Sequence, residues 1–181
     1  GGYKFHGDFR FLTNEIDRNW HTEELFDHEH DPDSMEHELP IYEPQYFLIN
    51  SFSQEQDDSN ENEIKALSGS PALLRLANIG SLYNRYVFPS TVTALVISSD
   101  GRPLPKSWRT DTLQILPGER YQVLLETEPK SAFIDSIKLE YRKWENDKVA
   151  YTRYLNCETS PINSSANPDN AAFSLYLLFL V

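Results

Sequence analysis

The sequence predicts an all-β chain folded as a Greek-key β-sandwich or barrel, and three observations carry that expectation. Short runs rich in Val, Ile, Leu, Tyr and Phe recur along the chain. Clusters of Pro, Gly, Asn, Asp and Ser separate them at strand spacing. Apolar residues at helical period are scarce.

Taken in order, the clearest strands run from Tyr46 to Asn50, Ala72 to Ile79, Tyr86 to Phe88, Thr93 to Ser98, Thr112 to Leu116 and Arg120 to Thr127. Further strands follow at Ser136 to Arg142, Val149 to Leu155 and Ala172 to Leu180. Asp100-Gly101 and Pro117-Gly118 each separate two of these runs, and their glycines accept the positive φ that tight turns demand. The stretch 51–63 is acidic and nearly free of apolar side chains, which predicts a mobile surface loop. A second soft stretch, 158–170, is dominated by Ser, Asn and Pro.

A length of 181 residues suffices to bury one core without disulfides or metals, so residues 1–181 are expected to form a single domain. With 28 acidic against 16 basic side chains the net charge is -12, which repels phosphate backbones and anionic membrane surfaces. Nucleic acid is therefore not an expected partner. The apolar run from Phe173 to Val181 is too short to span a bilayer as a helix, so no membrane span is expected. No signal peptide is visible at the start, although Gly1-Gly2 reads as an introduced boundary. Cys157 is the only cysteine, which excludes an internal disulfide. Gly-rich phosphate loops, Gly-x-Ser-x-Gly and nucleophilic Cys/His arrangements are absent, and no catalytic residue is assigned. Asn163-Ser164-Ser165 is a glycosylation sequon, meaningful only in a eukaryotic secretory setting.

Between Tyr46 and Thr127 five segments follow one another in a telling order. They are Leu48-Ile49-Asn50, Leu74-Arg75-Leu76-Ala77-Asn78, Tyr86-Val87-Phe88, Asp100-Gly101-Arg102-Pro103-Leu104 and Leu116-Pro117-Gly118-Glu119-Arg120-Tyr121-Gln122-Val123. This series resembles the second cupredoxin domain of three-domain multicopper oxidases, the laccase-like enzymes. The Pro-Gly-Glu-Arg-Tyr run is its most specific part, and Phe9 to Leu12 with Trp20-His21 extend the likeness faintly toward the N-terminus.

The resemblance implies a cupredoxin-like fold, flanking cupredoxin domains of the same parent protein as partners, copper held in those domains, and a periplasmic or secreted location. It further implies structural support for an oxidase whose own copper ligands lie elsewhere. A stand-alone binding module that kept the fold and lost the chemistry is the competing reading, because fold does not dictate function.

The residues themselves bear on both readings. Arg75 alternates with Leu74 and Leu76, so it should face away from them and fork onto carbonyls or a carboxylate. Glu119 and Arg120 leave a Pro-Gly turn and are expected, with Arg75, to brace loops rather than catalyse. Beyond Arg120, Tyr121, Val123 and Leu125 should share one face.

A blue-copper centre needs a thiolate and two imidazoles, usually with a weak axial thioether. All five histidines (His6, His21, His28, His30, His37) and Met35 precede residue 40, and no imidazole follows Cys157. Near Thr91-Val92-Thr93, where copper-bearing relatives place their first histidine, no ligand stands. Cys157 is therefore expected to be an ordinary half-buried thiol, and no copper or other cofactor is expected in this chain. His28-Glu29-His30, flanked by His21, Asp27, Asp31, Asp33 and His37, is the one stretch with metal-ligand spacing. His28 and His30 could meet one Cu(II) or Zn(II) from an extended strand, while a solvated acidic loop is the plainer reading.

Overall fold

The computed structural model describes residues 2–21, 41–56, 62–128 and 133–160. Eleven strands appear among them: β1 (Asp8–Ile16), β2 (Tyr46–Ile49), β3 (Glu63–Leu67), β4 (Ala72–Asn78), β5 (Tyr83–Val87), β6 (Val92–Ser99), β7 (Arg102–Thr110), β8 (Thr112–Ile115), β9 (Arg120–Thr127), β10 (Phe133–Arg142) and β11 (Val149–Ser160). One sheet has the order β2-β1-β4-β9-β6-β7, the other β3-β11-β10-β5-β8. The chain passes repeatedly from one sheet to the other, as a cupredoxin-like Greek-key sandwich requires. Pairing is antiparallel except for β1 with β4 and β11 with β3.

The core is made by alternate residues of both sheets. Leu74, Leu76, Val123, Leu125 and Val96 from the first meet Ile64, Tyr86, Ile115, Ile137, Leu139 and Leu155 from the second. Tyr121, Val123 and Leu125 do share the inner face, as their alternation predicts. A smaller cluster of Leu73, Leu95, Ile97 and Leu124 lies apart from this core, with Phe5 packed against it. Central strands β4 and β9 thus bury side chains on both faces, and for that reason β4 reads as a near-continuous apolar run and β9 does so at Val123-Leu124-Leu125.

Four strands differ most from expectation. β1 is a full nine-residue strand. Its inward positions change from Phe11 to the buried Thr13 and Glu15, so its apolar alternation breaks halfway. β3 begins at Glu63, the last residue of the acidic stretch, and β7 carries Pro103 and Pro105 along a sheet edge where a missing N–H is tolerated. β11 runs on to Ser160, into the stretch read as soft. The expected strand from Ala172 to Leu180 lies outside the described residues, as do 57–61 of the acidic stretch.

The quoted motif residues mark the places where backbone needs help. Asn50 adopts a positive φ of 50°, and its side chain accepts from Leu12 N (2.9 Å) and donates to Arg10 O (2.8 Å), closing the end of β2 on β1. Asp100 (φ 48°) and Gly101 (φ 76°) form the tight hairpin turn between β6 and β7. Gly118 (φ 85°) turns the chain into β9, and Glu119 Oε2 accepts from Leu116 N at 2.8 Å to lock that turn.

Glu15 is buried against the 80–82 turn, where its Oε1 accepts from Leu82 N (2.8 Å) and Ser81 N. Burial pushes its carboxyl up from the ordinary value of 4.5, more than the Leu82 and Ser81 N–H groups pull it down. Folding therefore favours the protonated form. That contribution is fully present below the unfolded value and is lost as pH rises through the folded one. Glu15→Gln removes the titration, so its stability relative to wild type should increase between about pH 4 and about pH 7. Urea melts at the two pH values check this, and a constant difference would refute it.

Candidate functional site

The test of copper chemistry falls on Cys157 and whatever surrounds it. β11 places Cys157 on the inner face of the second sheet, 1% exposed, opposite Asp135 on β10 and Ile64 on β3. The thiol is more deeply buried than its half-polar sequence context implied. Asp135 also receives the Thr91 hydroxyl, whose Oγ1 donates to Asp135 Oδ2 at 2.9 Å. The fold thus links the Thr91-Val92-Thr93 position to the neighbour of Cys157, although the two lie far apart in sequence.

The donors gathered there are a thiol, a carboxylate and a hydroxyl. Burial first, and the Asp135 carboxylate second, push the Cys157 thiol up to about 11. A copper ligand has to be a thiolate at neutral pH, and imidazoles favour that state where a neighbouring carboxylate opposes it. Of the described histidines, His6 precedes β1 and His21 ends the short 3₁₀ turn Arg18–His21, both exposed. The residues around Cys157 therefore do not fit a copper centre. Among the described residues no cluster of three or more His, Cys, Asp and Glu side chains could hold a metal ion. His28 and His30, with Met35 and His37, lie outside the described residues.

The remaining candidates act as braces, with one exception. Arg75 turns away from Leu74 and Leu76, and its Nε donates to both carboxylate oxygens of Asp8, at 2.8 and 3.1 Å. Glu119 locks its own turn. Arg120 contributes only its backbone, the N–H donating to Asp100 Oδ1 at 3.0 Å. Arg120 also lines a depression together with Arg10 and Arg75. That juxtaposition had no sequence signal, because strand register alone creates it.

The family model for multicopper oxidases matches residues 18–155, about three-quarters of the sequence. The chain belongs to the multicopper oxidase family. Solved structures agree at the level of fold. The blue copper oxidase of Nitrosomonas europaea superposes with a TM-score of 0.59 at 20% identity, over 86% of this chain and 44% of that one. Fet3p, a multicopper oxidase that functions in iron import, gives 0.55 at 17% identity, over 91% of this chain and 29% of its own. A metallo-oxidase from Campylobacter jejuni gives 0.54 at 13%, over 88% and 31%. The chain spans less than half the length of each of these proteins. Curated protein sequences gave no match. No helix among the described residues is long and apolar enough to cross a membrane.

Proposed function

We propose that residues 1–181 form the non-copper middle domain of a multicopper oxidase, a structural support that fixes the geometry of flanking cupredoxin domains. In this reading the flanking domains hold the coppers, one centre oxidising substrate and a trinuclear centre reducing dioxygen, and the parent works in the periplasm or outside the cell. The observation that carries the proposal is the place around Cys157. There Cys157 is buried opposite Asp135, which accepts from the Thr91 hydroxyl, and both burial and that carboxylate oppose the thiolate that a copper centre needs. Coverage of 29% to 44% of the related oxidases is also what one domain of several would give.

Two measurements test it. The reading frame on either side should encode His-x-His and His-Cys-His segments; a frame with neither would favour the stand-alone module. The purified chain titrated with Cu(II) should develop no intense thiolate-to-copper absorption, and its thiol should resist alkylation at neutral pH until the protein is unfolded. A blue band that disappears in Cys157→Ser would overturn the proposal.

A further inference from the structure

We infer that the outer face of the six-stranded sheet carries a binding site for a small multivalent oxyanion, a phosphate or a polycarboxylate. β1, β4 and β9 lie side by side, and their register brings together side chains that are distant in sequence. Arg10 pairs with Arg75, Arg75 with Gln122, and Gln122 with Ser98, forming a row across four strands. The next row runs Leu12, Ala77, Arg120. Phe11, Leu74, Leu76 and Val123 of the same strands enter the core. Arg10, Arg75, Arg120 and Gln122 therefore project from the opposite face. They line a depression of about 210 Å³ together with Leu12, Ala77, Ser98 and Gly101.

Not every guanidinium group at this depression has a carboxylate partner. Strands in a sheet stand about 4.8 Å apart, and like charges at paired positions repel. Arg75 has Asp8 as its partner, 2.8 Å away. Among the described residues, no carboxylate pairs with the guanidinium of Arg10 or Arg120. The nearby acids are engaged with backbone: Asp100 accepts from Arg120 N and Glu119 accepts from Leu116 N. Two guanidinium groups without a carboxylate partner thus stand at this depression, with the Asp100 and Glu119 carboxylates still charged nearby, on a chain whose net charge is -12. An incoming oxyanion would relieve the repulsion and receive forked, charge-assisted hydrogen bonds from guanidinium groups, with the Gln122 amide beside them. The volume is below the roughly 300 Å³ at which pockets for drug-sized ligands begin, which selects a compact ligand.

The test is titration of the full chain at low ionic strength with inorganic phosphate and, separately, with citrate, followed by amide chemical shifts, with chloride matched for ionic strength. Saturable shifts at Arg75, Gln122 and Gly101 are expected. Phosphate or citrate, whichever binds the more tightly, assigns the class. Arg120→Gln and Arg10→Gln should each weaken binding about tenfold, the effect of losing a charge-assisted hydrogen bond. Arg109→Gln should leave it unchanged, since Arg109 pairs with Glu126 at 2.9 Å outside the depression. Shifts that chloride reproduces, or that Arg109→Gln reduces as much as Arg120→Gln, would overturn the assignment. So would the absence of shifts with either probe.

Discussion

Replacing Asn78 by leucine is expected to cost about 3–5 kcal/mol, a large share of the roughly 5–15 kcal/mol that holds a typical domain together. Asn78 closes the Leu-Arg-Leu-Ala-Asn run at the end of β4 and is 1% exposed. Its Nδ2 donates to Leu82 O at 2.8 Å and Ile115 O at 3.2 Å, and its Oδ1 accepts from Gly80 N at 3.0 Å. One side chain thus serves three backbone groups, in the 80–82 turn and at the end of β8. Its own backbone meets Glu119 O and Gly118 N, so the Pro-Gly turn is fixed at the same point.

Leucine keeps the branched shape with bulkier methyl groups and abandons all three side-chain bonds. The groups left behind are buried or nearly so, and each costs about 1–3 kcal/mol when unmet. Asn78→Asp keeps an acceptor for Gly80 but loses both donations and buries a charge, so it should be at least as damaging at neutral pH. Urea unfolding measures both. A loss under about 1 kcal/mol for the leucine variant would mean that water replaces the amide and that the junction is not the clamp described here.

How much of this was legible in the sequence depended on whether the physics was local. Asp100-Gly101 and Pro117-Gly118 announced themselves because a tight turn restricts the residue that occupies it, whereas Asn50, read as the end of a strand, takes a positive φ just beyond it. Arg75 was readable from its alternation with two leucines. β7 was not, because Pro103, Pro105 and exposed side chains on an edge strand give no alternation to detect. β1 was half visible, since Thr13 and Glu15 occupy inward positions where the pattern calls for apolar residues. Cys157 stood in a polar context, yet its strand turns it fully inward. The arginine depression was invisible for a different reason: three cations from three strands meet only once register is known. The expectation for His28 and His30 concerns residues outside those described.

Arg153→Ala is expected to have the other large effect, again about 3–5 kcal/mol, and to act first on one edge of the sandwich. Arg153 lies on β11 on the same face as the buried Leu155 and Cys157 and is 2% exposed. Its Nη1 donates to Phe47 O at 2.9 Å and Phe52 O at 2.6 Å, so a strand of the second sheet grips β2, which hydrogen-bonds only to β1 within its own sheet. Tyr141 adds a second grip through its hydroxyl on Leu48 O at 2.7 Å, with the Phe47 ring edge-on to it at 5.2 Å. A guanidinium cannot shed its charge to escape burial, so its place depends on these carbonyls. Alanine would remove the grip and leave a cavity. Methionine fills most of the space and removes a buried charge, so Arg153→Met should recover roughly half of the loss. The alanine variant should melt roughly 10 °C lower, given about 2–4 °C per kcal/mol for a chain of this length. Amide exchange should quicken at Ile49 and Phe52, whose mutual hydrogen bonds close the turn beside the grip, before the core strands open. A melt within roughly 3 °C of wild type, or exchange that quickens equally in β4 and β9, would show that β2 is held by its own sheet and that Arg153 is not its anchor.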